Sequence, residues 1–447
     1  EHTKEFVGKL PFDLTPDQKK AAWEIIQDIE KTKPMVRLLQ GDVGSGKTVV
    51  TSLAAQNVAL DQSQTVFLVP TEILAHQHFL TFSNKFFVDS EIVIGLHTRS
   101  YHLIKKGGEI MEVSKKDMLE QIANGTIQIV IGTHALLQEA VSFKELALVI
   151  IDEQHRFGVE QRGTLMAKVG QGRMPHLLSM TATPIPRSLA LALYGDLDIS
   201  VIKQMPAGRK KIVTELVNAS NREKVYKHIA AELSGGRQAF VVCPLIDPSD
   251  KLGVKSVTTE FKRLDTGVFK DYKLGLLHGR LKAAEREQVM ADFVSGKIQV
   301  LIATSIIEIG VDIPNASVMM VEDADRFGLA QLHQYRGRVG RGAYQSYCFL
   351  VSETNDPRSN ERLKAMSELE SGFDLARADL GFRGPGEVYG LAQKGFPELK
   401  MANFYDVELI KKARDAALHT LKLDTNLEKW PLLKEELGES EKRAHLE

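Results

Sequence analysis

The chain has only two cysteines in 447 residues, Cys243 and Cys348, and each sits inside an apolar run, AFVVCPLI and SYCFLV. Without paired spacing or a Cys/His cluster, neither a disulfide framework nor a zinc site finds support, and a reducing cytoplasm fits. No apolar run approaches the ~18 residues of a membrane span. The opening EHTKEFVGKL lacks the apolar core of a signal peptide, so no membrane partner is expected. Charge is lacking too: the formal net value is −1. A polyanion would have to be held by local patches and backbone amides rather than by a global basic field. Low-complexity tracts are also missing. What remains is ordinary globular composition, 43% hydrophobic and 26% charged. At roughly 100–200 residues per domain, the length suggests two to four domains. The abrupt start reads as that of a piece of a longer protein, and the closing Leu446-Glu447 as an expression scar.

The chemistry begins at Val36–Leu53, VRLLQGDVGSGKTVVTSL. An apolar strand breaks into Gly41-Asp42-Val43-Gly44-Ser45-Gly46-Lys47-Thr48, and a helical pattern follows, the setting that G-x-x-x-x-G-K-[ST] requires. Glycines 41, 44 and 46 permit turns and close approaches that a Cβ forbids. The loop amides then converge on phosphate at a helix N-terminus. Lys47 is expected to reach the β- and γ-phosphates of ATP, and the Thr48 hydroxyl to meet Mg²⁺. A bare glycine-rich turn would not need the Lys-Thr pair. Just upstream, Thr15 reads as an N-cap with Pro16 at the first helical position. Gln18, one turn in, is placed to reach a nucleotide base, although taken alone it reads equally well as a surface glutamine.

Apolar runs at Thr65–Val69, Ile92–Leu96, Ile127–Ile131, Leu148–Ile151 and His176–Met180 read as parallel strands buried on both faces. Tyr101–Asn124 reads as a charged, helical connection. Leu148–Ile151 runs into Asp152-Glu153-Gln154-His155, an exposed turn in isolation. Beside a phosphate loop, Asp152 is expected to hold the metal through water and Glu153 to activate the attacking water. Thr181-Ala182-Thr183, one βα unit later, is placed to contact both the nucleotide site and a second domain. Lys203–Lys211, with Pro206-Ala207-Gly208, reads as a linker. A second series follows, with strands at Gln238–Cys243, Leu274–Leu277, Gln299–Ile302, Val318–Val321 and Tyr347–Val351 and no phosphate loop of its own.

That second half carries QLHQYRGRVGRG. Arginines 336, 338 and 341 between glycines make a poor buried stripe. They suit either a basic nucleic-acid patch or fingers offered to the γ-phosphate. Beyond Asp356, Arg358–Gly372 and Phe373–Asp379 read as a helical hairpin. Arg383–Gln393 reads as an irregular glycine-rich loop, Val407–Leu421 as an amphipathic helix, and the rest as a charged tail. The expected architecture is α/β, two tandem RecA-like domains with parallel sheets, at 1–204 and 205–356, then hairpin, loop and helix at 357–447.

In order, GDVGSGKT, VPTEILAHQH, GTHALLQ, DEQH, TATPIPR, LLHGRL, TSIIEIGVDIPNA and QLHQYRGRVGRG resemble the motifs of superfamily-two helicases. More narrowly, RLLQGDVGSGKT, DEQHRFGVEQR, MTATPIPR, YGDLDIS, RFGLAQLHQ and RGPGE resemble the bacterial RecG family of junction-processing DNA translocases, over nearly all of residues 10–400. The resemblance implies that Gln334, Arg338 and Arg341 sense or stabilise the γ-phosphate. It implies that Thr71, Thr133, His134 and Thr304 grip the DNA backbone, and that Arg383 to Gln393 couples nucleotide state to duplex movement. It further implies double-stranded and branched DNA, forks and Holliday junctions, as partners, with single-stranded DNA-binding protein beside them. This sequence departs from the family at Ser305, where a second threonine is usual, at Gly381 in place of an acidic residue, and at Ala392 and Lys394 flanking Gln393. No segment corresponds to the family's N-terminal wedge domain, so junction recognition does not follow from these residues.

Two other readings stay open on sequence: a transcription-repair coupling type of translocase, and a nucleotide-controlled DNA clamp that does not move. DEQH and GDVGSGKT favour the RecG type over the former. An acidic Glu153 together with Arg338 and Arg341 favours hydrolysis over the latter.

Overall fold

The computed structural model describes residues 2–153, 174–182, 198–206, 210–244, 254–304, 313–354, 356–387 and 407–437. The chain falls into two compact units, residues 1–184 with 198–375, and residues 185–197 with 376–447.

The first unit holds two sheets. In chain order the first comprises β1 (Val36–Gly41), β2 (Gln64–Leu68), β3 (Ile94–His97), β4 (His102–Lys106), β5 (Glu109–Glu112), β6 (Ile129–Gly132), β7 (Leu146–Ile151), β8 (His176–Thr181) and β9 (Asp198–Ile202). They lie in the order 5-4-3-6-2-7-8-1-9. All neighbours are parallel except β3 with β4 and β4 with β5. The second sheet, wholly parallel, comprises β10 (Val213–Val217), β11 (Gln238–Val242), β12 (Leu274–Leu277), β13 (Val300–Ala303), β14 (Ala316–Val321) and β15 (Tyr347–Val351), ordered 10-15-14-11-13-12. The α/β class with two parallel sheets is as expected, and the expected strands are met within a few residues.

Why the strands are apolar throughout is visible in the packing. Successive residues of a strand point to opposite faces, and here both faces are covered. On β7, Leu148 and Ile150 join one core with Leu53, Phe67 and Phe79, while Val149 and Ile151 join another with Val66, Met118 and Ile122. Each fully buried Leu, Ile or Phe contributes about 1.5–3 kcal/mol. The second sheet packs Val241, Val300, Ile302, Val318 and Met320 against Ile229, Val257 and Phe269.

The helix Pro16–Ile29 starts as expected, with Thr15 as N-cap and Gln18 closing the capping box. It is tied to β1 by Arg37, whose guanidinium donates to Asp28 Oδ2 from Nε (2.9 Å) and Nη2 (2.5 Å) and to Ser200 Oγ (2.8 Å) on β9. Arg37→Ala leaves the buried Asp28 with solvent-facing Lys31 as its ionic partner among the described residues. The expected cost is about 3 kcal/mol of unfolding free energy. A denaturant titration unchanged by the substitution would refute this account of the pair.

Two segments differ from expectation. Within Tyr101–Asn124, β4 and β5 form an antiparallel hairpin before the helix Lys115–Ala123. Its turn is Gly107-Gly108, with φ of 57° and 84°, the positive angles of a two-residue hairpin turn that matches strand twist. The local signal for the turn is the Gly107-Gly108 pair itself. The second correction concerns the hairpin and the loop after it. The helices run Pro357–Glu368 and Gly372–Glu387, so Arg383–Glu387 has helical backbone despite two glycines and a proline. Propensity is a weak prior, and extending a nucleated helix is far easier than starting one. The last helix runs Val407–Leu423. No helix among the described residues is long and apolar enough to cross a membrane.

Candidate active site

In a parallel sheet the carboxyl ends of all strands share one edge, where ligands bind. The phosphate loop leaves that edge from β1, and the helix Lys47–Leu60 begins directly after it. Gly44 and Gly46 are left-handed, at φ 79° and 86°. A Cβ on Gly46 would run into the Gln18 amide. Gln18 is buried, its Oε1 accepting from the Thr15 N–H (2.8 Å) and its Nε2 donating to the Ser45 carbonyl (2.8 Å). Its Nε2 therefore serves the loop, while its Oε1 closes the capping box of the Pro16–Ile29 helix. Lys47 Nζ donates to the carbonyls of Gly41 (2.8 Å) and Asp42 (3.0 Å). Ser45 Oγ is buried without a hydrogen-bond partner. A lysine folded onto its own loop, beside an unmet hydroxyl, fits a site built for phosphate oxygens. Thr48 lies half-buried in the first turn of the helix.

Asp152 and Glu153 follow β7, two strands from β1. Glu153 has φ 51°, strained for a residue with a side chain and common where function holds a backbone in place. Its N–H donates to Asp152 Oδ1 (3.0 Å), and His78 Nε2 lies 3.4 Å from Asp152 Oδ2. Burial pushes the Asp152 carboxyl up, but His78, Lys47 and the Glu153 amide outweigh it, and the net shift is down. Burial and then the Asp152 charge push Glu153 up to about 7, against the opposing pull of Lys47, Arg338 and the Ala182 N–H. The Ala182 contact places the Thr-Ala-Thr turn on the site, while Thr183 lies outside the described residues. Burial lowers Lys47, Glu153, Asp152 and Asp42 pull it back, and Arg341 adds to the lowering.

Arg338 and Arg341 thus lie within electrostatic reach of Glu153 and Lys47, across from the sheet that carries them. They follow the helix Leu329–Arg336, which places Gln334 in the interior. The run is not the poorly buried one expected: residues 332–340 are buried throughout, with Arg338 only 3% exposed. Part of the reason is contact with the phosphate loop. A Cβ on Gly337 would come within 2.8 Å of the Val43 side chain, so glycine is what lets the two backbones approach. Arg336 is not a finger: it donates to the carbonyls of Met366, Leu369 and Glu370, each at 2.8 Å. Sequence reasoning missed His333, Gly337 and Gly372 as neighbours of the loop, and His78 beside Asp152.

The remaining candidates are dispersed along the same edges. Thr71 caps the helix Glu72–Thr81 by accepting from the Leu74 N–H, and Thr133 and His134 follow β6, with Thr133 buried and His134 exposed. Thr304 is buried just past β13. Arg383 lies on the Gly372–Glu387 helix, and Gln393 falls outside the described residues. No group of three or more His, Cys, Asp or Glu able to hold a metal occurs among the described residues.

Comparison with known proteins bears on the family and the fold. Residues 15–191 match the DEAD/DEAH box helicase family and residues 220–343 the helicase conserved C-terminal domain. The chain is 43% identical over 435 residues to the ATP-dependent DNA helicase RecG of Synechocystis sp., covering 96% of this chain and 50% of that protein. With the protein of the same name from Thermotoga maritima it shares 48% over 416 residues, covering 92% and 51%. A solved structure of RecG bound to a three-way DNA junction superposes with a TM-score of 0.75 at 44% identity, over 91% of this chain and 52% of that one. The helicase MrfA bound to DNA shares the fold alone, at 18% identity and a TM-score of 0.58 over 83% of this chain and 54% of that one. The chain spans about half the length of these RecG proteins. Over the length it spans, the chain belongs to the RecG family.

Proposed function

We propose that this chain is an ATP-driven motor that moves on duplex DNA, and that within a longer protein it remodels stalled forks and branched recombination intermediates. The observation that carries this reading is that Arg338 lies within electrostatic reach of Glu153 and Arg341 of Lys47, with Gly337 packed on Val43, because it makes hydrolysis depend on two sheets coming together. Lys47 and the loop amides of residues 41–48 grip the phosphates of ATP. Thr48 and, through water, Asp152 hold Mg²⁺, which neutralises charge on the phosphates when bound. Glu153 takes the proton of the attacking water, and Gln334, Arg338 and Arg341 meet the γ-phosphate. Thr71, Thr133, His134 and Thr304 sit on strand ends suited to a nucleic-acid backbone, and Arg383 and Gln393 pass nucleotide state to the duplex. RecA-like domains bounded at 1–204 and 205–356 suit the two sheets, with 357–447 as the coupling segment. The RecG structure bound to a three-way junction supports branched DNA as the ligand class. Cys243 and Cys348 are free buried thiols, Cys348 pushed up to about 12 by burial, which suits a reducing cytoplasm.

A clamp that binds without moving needs no turnover. The test is ATP hydrolysis by this chain without DNA and with duplex, single-stranded or forked DNA. Stimulation by duplex or forked DNA, lost in Lys47→Ala, is the expected result. Hydrolysis indifferent to every DNA would count against a motor.

A further inference from the structure

The phosphate loop is tied to the hairpin segment by a route that does not pass through the arginine fingers. Asp42, buried at the second position of the loop, uses both carboxylate oxygens. Oδ1 accepts from the Val43 N–H (2.7 Å) and meets His333 Nε2, while Oδ2 accepts from the N–H of Gly372 (3.0 Å), the first residue of the Gly372–Glu387 helix. The hydrogen-bond roles of the His333 ring follow from its partners. Arg336 Nη2 lies 3.0 Å from His333 Nδ1. A guanidinium only donates, so Nδ1 accepts, and the ring proton on Nε2 is given to Asp42. Arg336 at the same time holds the carbonyls of Met366, Leu369 and Glu370. Burial raises the Asp42 carboxyl, yet the donors from His333, Gly372 and Val43 hold it at about 2. Residues 366–372 are therefore bracketed by Arg336 at one end and by the phosphate loop itself at the other.

We propose that Asp42 and His333 are positioning residues that report the occupancy of the phosphate loop to the start of the Gly372–Glu387 helix. The inference rests on the ATP-driven motor proposed above. Lys47 now donates to the carbonyls of Gly41 and Asp42. When phosphate oxygens take that ammonium, those two carbonyls lose their donor and the Gly41–Asp42 peptide is released to shift. The Asp42 carboxylate moves with it, and the Gly372 and His333 hydrogen bonds rearrange together. Histidine suits this position because its ring offers a donor and an acceptor along a single line. Glutamine has the same pair, whereas leucine of similar bulk has neither.

The test is amide hydrogen exchange over residues 366–375 in the 447-residue chain, with and without a saturating non-hydrolysable ATP analogue, because exchange reads local opening directly. In the parent chain the analogue should change protection of these amides. His333→Leu should lose that difference while still binding the analogue, measured by fluorescence in the same samples, and His333→Gln should restore it. Should the leucine variant fail to fold, Gly372→Pro removes the other donor at a first helical position, where proline is tolerated, and should lose the difference as well. A merely structural histidine would alter stability equally with and without nucleotide. A parent chain that binds the analogue but leaves these amides unmoved overturns this inference alone, as does a leucine or proline variant that keeps the full response. A parent chain that binds no ATP analogue overturns the motor and this relay together.

Discussion

Arg338→Ala is expected to slow ATP turnover by about 10³–10⁵-fold, the range for losing an arginine that meets the transferring phosphoryl group. ATP binding should survive, because Lys47 and the loop amides lie on the other sheet. Arg338 acts on the Glu153 carboxyl from within a run that is buried against the phosphate loop, with Gly337 packed on Val43. Its position is therefore set by backbone contact and not by a long mobile side chain reaching through solvent. Arg341 has a weaker hold: it is half-buried, its Nε donates to the Gly337 carbonyl (3.3 Å), and its charge acts on Lys47. Arg341→Ala should accordingly lose turnover too, but less of it. Single-turnover hydrolysis beside fluorescent-nucleotide binding separates the two quantities. Arg338→Ala turning over within a few-fold of the parent chain would remove it from the site.

Why some of this was legible in the sequence and some not follows from distance along the chain. The phosphate loop was legible because its requirements are local: left-handed glycines, a lysine and a helix start all fall within eight residues. Asp152 and Glu153 were legible from their place at the end of a buried strand. The β4–β5 hairpin was marked in the sequence only by Gly107-Gly108, because its strands HLIKK and EIME carry no apolar-polar alternation. The helical stretch 383–387 defies residue propensity, so no local signal pointed to it. The burial of residues 332–340 was hidden for a different reason. Arginine and glycine read as solvent-facing until other segments cover them, here Val43 over Gly337 and the carbonyls of Met366, Leu369 and Glu370 over Arg336. The Asp42–His333 contact joins residues 291 apart in sequence, and a lone histidine in QLHQYR carries no local mark of its partner.

Glu153→Gln should lower hydrolysis by about 10²–10⁴-fold, the contribution typical of a positioned general base. The substitution is nearly isosteric, and the glutamine carbonyl oxygen can still accept from the Ala182 N–H that now meets the carboxylate. What it removes is the capacity to take a proton. Glu153 suits that role because burial and Asp152 raise its carboxyl to about 7 while its left-handed backbone holds it at the sheet edge. A carboxylate of ordinary acidity would be a poorer proton acceptor near neutral pH. Binding is expected to tighten slightly, since the neutral amide lifts one negative charge from the neighbourhood of the phosphates and leaves Lys47 and Asp152 in place. The two readouts thus move in opposite directions, which a folding defect would not produce. Tight binding with stalled hydrolysis should also hold the motor on DNA in its ATP-bound form, seen as slower release from duplex in the presence of ATP than of ADP. Hydrolysis at the parent rate in Glu153→Gln would assign water activation to another group, and weakened binding would make Glu153 part of the nucleotide grip.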